Sequence, residues 1–217
     1  AHKVVHPTGV KTTVDMPPGN YDVFATAGMF ASVQRKNVVV GPGSSQSLSF
    51  SLTHIEKPAG TISGDFHVHG AKSFDSSIPD LDRVAAFLSA GIDVIIATDH
   101  DAVWDYAAAM DALHARDRIT LITGDETTGQ ILFGLNPSVY FPQVIGHWIM
   151  WPMPMDRDAP RLGAPNDELV EPGALFGRAA ERGYDVQNGV IQLNHPWANL
   201  EFGRDLGFSR AIGLNLK

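Results

Sequence analysis

The sequence contains no cysteine. This absence excludes disulfide bonds, zinc sites built from thiolates and cysteine nucleophiles. A metal site in this chain must therefore use the imidazole and carboxylate groups of histidine, aspartate and glutamate.

Basic residues are few. The 217 residues include 16 Lys and Arg against 24 Asp and Glu, so the net charge is −8. Because a phosphate backbone is bound by clustered Lys and Arg, we do not expect a nucleic acid as partner. An acidic chain that also carries 9 histidines is better suited to cations.

Long apolar runs are also lacking. No run approaches the roughly 18 residues of a membrane span, so no membrane partner is expected. No signal peptide is visible, but the chain begins at Ala1, so any export signal would already have been removed. Hydrophobic residues make up 44% of the chain, which is enough to form a core.

Two different rhythms predict two segments, separated by a linker at residues 57–60. Residues 1–57 are expected to be all-β, with turns rich in Gly and Pro. In residues 61–217 candidate strands alternate with candidate helices, which predicts a parallel sheet with right-handed crossovers. The candidate strands are residues 21–26, 33–40, 47–52, 62–69, 92–98, 119–123, 144–150 and 190–193, and the helices are centred on residues 81–88, 103–113 and 172–182.

The strongest local feature is the sequence Asp-Phe-His-Val-His at residues 65–69. Alternate side chains of a strand share a face, so Asp65, His67 and His69 are expected to point the same way. Two imidazoles on one face, two residues apart, can reach a single metal ion. The alternative is a pair of surface histidines with no ligand role.

Three further candidate strands end in histidine or carboxylate groups, at residues 99–101, 124–126 and 194–196. Taken singly, Asp99 or Asp101 could cap a helix, and Glu126 could be a solvated loop residue. Barrel enzymes place their active sites at the carboxyl end of the strands, so the coincidence favours one shared site. His147 lies in an apolar stretch, where a lone histidine is more often a core residue than a ligand.

Together these motifs resemble those of the polymerase-and-histidinol-phosphatase (PHP) superfamily. The matching segments, in order, are Gly-Asp-Phe-His-Val-His at 64–69, Ala-Thr-Asp-His at 97–100, Gly-Asp-Glu at 124–126 and Asn-His-Pro at 194–196. The Gly-His at 146–147 and the Ser-Phe-Asp-Ser-Ser at 73–77 resemble its carbaryl-hydrolase-like branch of metallohydrolases.

This resemblance, which covers about residues 61–217, implies a distorted seven-stranded β/α barrel with two or three divalent metal ions, of which Zn, Mn or Fe are candidates. Glu126 is implied as the bridge between metals. Asp75 stands one residue away from a position that ligates metal in many members, so it is given no role. The implied ligands are His67, His69, His100, Glu126, His147 and His195.

The sequence departs from the family at its end. The family has a late Asp-x-His motif, and nothing after His195 matches it. Because the chain stops at Lys217 with too few strands to close a barrel, we expect an incomplete barrel. Residues 205–217 are then expected to pack against a missing C-terminal segment or a second chain.

Residues 1–57 are similar to the end of a carboxypeptidase-regulatory-like β-sandwich, through Pro-Pro-Gly-Asn-Tyr-Asp-Val at 17–23 and the alternating strand at 47–52. Such modules often accompany exported enzymes. The resemblance therefore implies a periplasmic or secreted location, with the cytoplasm as the alternative.

The function expected from these observations is hydrolysis of a phosphoester, or of a carboxylic or carbamic ester, by a metal-bound water. Asp99 and Asp101 are the catalytic candidates, as groups that orient a histidine ligand or shuttle a proton. The expected partner is a small-molecule substrate. The alternatives are a degenerate metal-binding or structural domain without catalysis, and a PHP-type exonuclease, which the acidic balance disfavours.

Overall fold

The structure is a computed structural model that describes residues 3–7, 11–128, 147–167, 170 and 172–195. The helices of this part of the chain are α1 (Asp80–Ala90), α2 (Ala107–Ala112) and α3 (Pro172–Glu181). The strands are β1 (Gly19–Ala25), β2 (Gln34–Val40), β3 (Gly64–Val68), β4 (Val94–Ala97), β5 (Thr120–Thr123), β6 (Asp125–Thr127), β7 (Trp148–Trp151) and β8 (Val190–Leu193).

The N-terminal segment forms a two-stranded antiparallel sheet, in which β1 pairs with β2 from Gly19–Val40 to Ala25–Gln34. The strand expected at residues 47–52 is absent from the described ladders. The backbone carbonyl groups of residues 47–52 accept hydrogen bonds from side chains of β2 instead. The Gln34 amide donates to Ser51 O at 2.6 Å and the Lys36 ammonium donates to Ser49 O at 2.6 Å. Alternation indicates one buried face but does not select a backbone partner. The expected β-sandwich segment is therefore wrong, because the described residues up to position 57 form one two-stranded sheet and an isolated bridge.

A second sheet has the order β3-β4-β5 and carries the first candidate ligands. Thr98 N donates to Val68 O at 2.9 Å and Gly124 N donates to Ala97 O at 2.8 Å. Val94 N and Thr120 N donate the equivalent bonds to carbonyl groups near the starts of the neighbouring strands. In each pair, later residues of one strand therefore bond to later residues of the other. These strands run parallel, as the alternation of strands and helices predicts.

The third sheet has the order β6-β7-β8, and both of its pairings are antiparallel. A separate antiparallel sheet is incompatible with a barrel in which all strands run parallel in a single ring. The expected seven-stranded β/α barrel is therefore wrong, since the described residues form three small sheets and no closed barrel. The sequence pattern gives the period of a strand, but the direction of its neighbour depends on distant parts of the chain.

Two helices end where the sequence predicts, each at a glycine in the left-handed region. Gly91 has φ 66° after α1, and Gly183 has φ 91° two residues after α3. Ile92 N donates to Phe87 O at 3.2 Å and Gly91 N to Leu88 O at 3.3 Å, which together make a Schellman motif. A side chain at such a φ is strained, so glycine fixes the helix end.

The described residues divide into two compact units. The first is drawn from Ala1–Gly64, Asp80–Val94 and Ala107–Thr120, and the second from Asp65–Pro79, Ile95–Tyr106 and Leu121–Lys217. The second contains a core of Val103, Met150, Met153, Ala164, Leu175, Ala179 and Tyr184. The domain boundary expected at residues 57–61 stays a prediction.

The helices of the described residues include none that is long and apolar enough to cross a membrane. Residues 205–217, which were expected to pack against a further segment, lie outside the described residues.

In the first unit, Asp93 is expected to stabilise the fold through Lys57 and Ser63. Its Oδ2 accepts hydrogen bonds from the Lys57 ammonium, the Ser63 amide (2.7 Å) and the Ser63 hydroxyl (2.9 Å). The Lys57 bond and then those of Ser63 lower the pKa of Asp93 to about 2. The carboxylate is partly exposed, so the stabilisation is expected to be about 1 kcal/mol.

Because the pKa of Asp93 is lower in the folded state, this stabilisation is present above the unfolded pKa of about 4 and is lost as pH falls toward about 2. Urea unfolding should show Asp93→Asn to be less stable than the wild type at neutral pH, with a difference that shrinks below about pH 4 and is nearly gone at about pH 2. Exposed Asp117→Asn is the control. A pH-independent difference, or none at neutral pH, would contradict the assignment.

Candidate metal centre

A single buried carboxylate, Glu126, lies at the centre of the candidate site. It belongs to β6, whose three side chains are all buried, and it is fully inaccessible to solvent. Gly124 allows β6 to follow β5 at once, because a Cβ there would lie 3.0 Å from Met150 O of β7. An isolated parallel bridge pairs Glu126 with His100, so the two segments are fixed side by side.

The histidines of the β3 segment reach one oxygen of this carboxylate. His67 Nε2 and His69 Nε2 each lie 2.8 Å from Glu126 Oε2. Their ring centroids are 4.9 Å apart. The two imidazoles thus share a face, as the alternation of strand side chains predicts.

Three more histidines complete the cluster. His100 Nε2 lies 3.4 Å from Glu126 Oε2, whereas His147 Nδ1 and His195 Nε2 lie 3.3 Å and 3.4 Å from Oε1. The structure therefore brings the five expected histidine ligands together around the sixth, Glu126. It does so although His147 and His195 belong to the antiparallel sheet region and not to a barrel rim. That they are ligands stays a prediction.

Asp75 joins this cluster, although no role was assigned to it from the sequence. Its Oδ1 lies 3.1 Å from His69 Nδ1 and its Oδ2 lies 3.7 Å from His100 Nε2. The Ser73 hydroxyl donates to Oδ1 at 2.6 Å. The Ser-x-Asp spacing after His69 was the available signal, but the conformation of the loop decides whether Asp75 turns inward.

Buried His and Glu clusters of this kind could hold a metal ion. In each of three groups, one nitrogen or oxygen per residue lies within 4.8 Å of the others. The mixture of neutral imidazole and carboxylate donors fits Zn, Mn or Fe and suits Ca or Mg less well. The groups are His67–Glu126–His195, His69–Asp75–His100 and His100–Glu126–His147.

The histidines hold Glu126 ionised. Burial favours the neutral acid, but hydrogen bonds with His147, His67 and His69 outweigh it and hold the pKa of Glu126 well below its usual range. Burial also lowers the pKa of His69, yet Glu126 and then Asp75 reverse the effect, and the pKa of His69 is raised. Protons therefore compete with a cation for His69 over a higher pH range than for an ordinary histidine.

Two other histidines are kept neutral. Burial lowers the pKa of His100 to about 4, although Glu126 acts in the opposite direction. Burial, followed by the proximity of His147, also lowers the pKa of His195. Neutral imidazole is the form that binds a metal, so these rings are ready to act as ligands near neutral pH.

Asp99, one of the two catalytic candidates, holds the loop after β3. Its Oδ1 accepts from Gly70 N at 2.6 Å and Ser73 N at 3.1 Å, and its Oδ2 accepts from Tyr106 Oη at 3.1 Å. Burial raises the pKa of Asp99. These contacts position the loop that carries Ser73 and Asp75, and a catalytic role for Asp99 stays a prediction.

Asp101, the other candidate, contacts Thr128 through both carboxylate oxygens, at 3.1 Å from its amide and 2.6 Å from its hydroxyl. Burial, and then the charge of Asp167, raise the pKa of Asp101 to about 6. Asp125 is fully buried, and burial raises its pKa well above the usual value. Arg161 balances part of this charge through a 2.6 Å bond to Asp167. Asp101, Asp125 and Asp167 thus form a second acidic group, of which only Asp101 was a candidate from the sequence.

Asn194 is a further neighbour that the sequence did not single out. Its side chain is buried, its Nδ2 donates to Glu126 Oε1 at 2.7 Å, and its Oδ1 accepts from Gln192 Nε2 at 2.7 Å. These two hydrogen bonds of Asn194 fix the orientation of the Glu126 carboxylate. The asparagine of the Asn-His-Pro motif thus has a physical role beside that of His195.

The cluster is open to solvent on one side. The side chains of His67 and His195 are 33% and 41% exposed, whereas that of His100 is 4% exposed. Phe74 covers His100, with ring centroids 4.7 Å apart and an angle of 27° between the planes. Among the imidazoles of the cluster, those of His67 and His195 are thus the most exposed.

No family model, curated protein or solved structure matches this chain. The class that the fold and site define is an α/β protein with mixed parallel and antiparallel sheets and a buried histidine and glutamate cluster able to hold a metal ion.

Proposed function

We propose that this chain is a metal-dependent hydrolase with chemistry of the PHP type, acting on a small phosphoester or a carboxylic or carbamic ester. The observation that carries the proposal is the convergence of five imidazoles on the two oxygens of one buried carboxylate. A buried ionised group is costly unless it is paired. An arrangement with this many nitrogen donors is typical of a site for divalent cations.

The two oxygens of Glu126 support a centre of two or three cations, with Zn, Mn and Fe as candidates. Oε2 faces His67, His69 and His100, and Oε1 faces His147 and His195. A carboxylate with nitrogen donors on both sides is suited to bridge two ions. Asp75, next to His69 and His100, would complete a further ligand group.

When bound, such cations lower the pKa of a coordinated water toward neutrality and polarise the electrophile. The residues of the chain contribute position and charge. Asn194 holds Glu126, Asp99 holds the Asp75 loop, and the exposed faces of His67 and His195 admit the substrate. The contacts of Asp99 and Asp101 support orientation of ligand-bearing segments more directly than transfer of a proton.

The proposal is tested with His67→Ala and the control His54→Ala, which removes an exposed histidine of the first unit. Metal content is measured by mass spectrometry of the purified proteins. Hydrolysis is measured on aryl phosphates and aryl esters with Zn, Mn or Fe added. We expect His67→Ala to lose metal and to hydrolyse at least about 100-fold more slowly, because a lost ligand removes the cation that activates water.

The control His54→Ala should retain both properties. Metal bound by the wild type without hydrolysis of any substrate would favour the alternative of a metal-binding domain without catalysis. Unchanged metal and turnover in His67→Ala would exclude His67 as a ligand.

A further inference from the structure

Thr128 lies between a candidate ligand and an acidic side chain. Its hydroxyl oxygen is 3.2 Å from His100 Nδ1 and 2.6 Å from Asp101 Oδ2. Its backbone N–H also donates to Asp101, at 3.1 Å from Oδ1. Thr128 and His100 are both buried, so water does not compete readily for these bonds.

The hydroxyl has a single hydrogen to donate. The short bond to the Asp101 carboxylate takes it, because a charged acceptor makes the stronger bond. Arg161 Nη1, at 3.8 Å from Asp101 Oδ1, further favours the ionised carboxylate. The Thr128 oxygen then faces His100 as an acceptor, and an acceptor at this position requires that Nδ1 of the ring carries the proton.

We propose that Thr128 is a positioning residue, which fixes neutral His100 in the tautomer protonated on Nδ1 and thereby leaves the Nε2 lone pair for a metal ion. Nε2 is the nitrogen that faces Glu126 Oε2 at 3.4 Å and Asp75 Oδ2 at 3.7 Å. Hydrogen bonding of the distal ring nitrogen generally sets which nitrogen binds metal. The inference rests on the proposed function in so far as it assigns Nε2 as a ligand atom.

A related arrangement occurs at His69, although there the carboxylate of Asp75 also lies 3.1 Å from Nδ1 itself. The Ser73 hydroxyl lies 2.8 Å from His69 Nδ1 and donates to Asp75 Oδ1 at 2.6 Å. His69 Nε2 again faces Glu126 Oε2. Two neighbouring imidazoles thus each have a hydroxyl and a carboxylate behind Nδ1, and each directs Nε2 toward Glu126.

The test uses Thr128→Val, which keeps the shape of the side chain and removes its hydroxyl, and Thr128→Ser, which keeps the hydroxyl. The matched control is Thr127→Val. Thr127 is also buried, but its hydroxyl bonds to the Trp148 backbone. Nitrogen-15 NMR of the metal-free proteins at about pH 8, where histidine is mostly neutral, reports the tautomer of His100. Competition with a chromophoric chelator gives the affinity for Zn²⁺.

We expect a proton on Nδ1 of His100 in the wild type, in Thr128→Ser and in Thr127→Val. Thr128→Val should populate the Nε2-protonated form and bind Zn²⁺ about 10- to 100-fold more weakly, as is usual for loss of a group that orients a ligand. A wild-type ring protonated on Nε2 would overturn the inference without recourse to any variant. So would a Thr128→Val protein with wild-type tautomer and affinity.

Failure of the proposed function gives a different result. If the wild type binds no Zn²⁺, Mn²⁺ or Fe²⁺, the hydrolase proposal is wrong. The NMR measurement on the metal-free protein still decides whether Thr128 sets the tautomer of His100.

Discussion

Glu126→Gln is expected to release bound metal and to reduce hydrolysis by at least about 1,000-fold, because every group of the centre that contains this carboxylate loses its negative charge. Glutamine retains one oxygen acceptor and nearly the same volume, so packing around β6 is preserved. Its amide N–H groups, however, would face imidazole nitrogens that now face a carboxylate oxygen. These nitrogens belong either to His67 and His69 or to His147 and His195. The loss should therefore be larger than that caused by any single histidine.

Metal content and turnover of Glu126→Gln are measured beside Glu181→Gln, an exposed substitution at the end of α3. Circular dichroism and urea unfolding in the presence of a chelator show whether the fold persists. Wild-type metal content in a folded Glu126→Gln protein would remove Glu126 from the centre. Normal metal content with lost turnover would limit Glu126 to a role in hydrolysis.

Local sequence patterns predicted the parts of the fold that depend on near neighbours. The alternation in β3 places His67 and His69 on one face, and the glycines after α1 and α3 end those helices. Predicted strand ends also pointed to His100, Glu126 and His195, whereas the ligand role of His147 came only from the family resemblance. Such features are decided by side-chain period and by backbone sterics within a few residues, so they can be derived without knowledge of the tertiary structure.

The pairing of strands could not be derived in this way. The sequence pattern places residues 124–126 at the end of the strand 119–123, but Gly124 allows the chain to continue directly into β6, which pairs with β7. The direction of β7 and β8 depends on segments distant in sequence. The barrel was predicted from the family resemblance and not from the pairing of these strands. The three small sheets of the described residues contradict that prediction.

The side chains behind the cluster were missed for a related reason. Ser73 and Asn194 lie within the motifs at 73–77 and 194–196 but were given no role there, and no pattern distinguishes Thr128. Their role depends on burial next to a histidine or to Glu126, which removes water as an alternative partner. Residue type can therefore indicate candidate ligands, whereas the groups that orient them emerge from packing.

Asp99→Ala is expected to destabilise the protein by about 3 kcal/mol, because it removes a buried acceptor from three donors at once. The donors are Gly70 N–H, Ser73 N–H and the Tyr106 hydroxyl. Asp99→Asn retains one acceptor oxygen and should cost less. The loop that carries Ser73 and Asp75 should loosen in Asp99→Ala, so the affinity for metal at His69, Asp75 and His100 should fall as well.

Urea unfolding gives the change in stability, and hydrogen exchange at the Gly70 and Ser73 amides reports the loop directly. Exposed Asp158→Ala is the control for loss of an acidic residue. Gly70→Ala disturbs the same loop by another route, because its Cβ would lie 2.7 Å from the Tyr106 ring, and it should likewise speed exchange. If exchange at both amides in Asp99→Ala equals that of the wild type, Asp99 does not hold the loop. A large loss of turnover with unchanged exchange and stability would then assign Asp99 to the reaction itself, since a side chain that only anchors a loop cannot act on the rate without moving it.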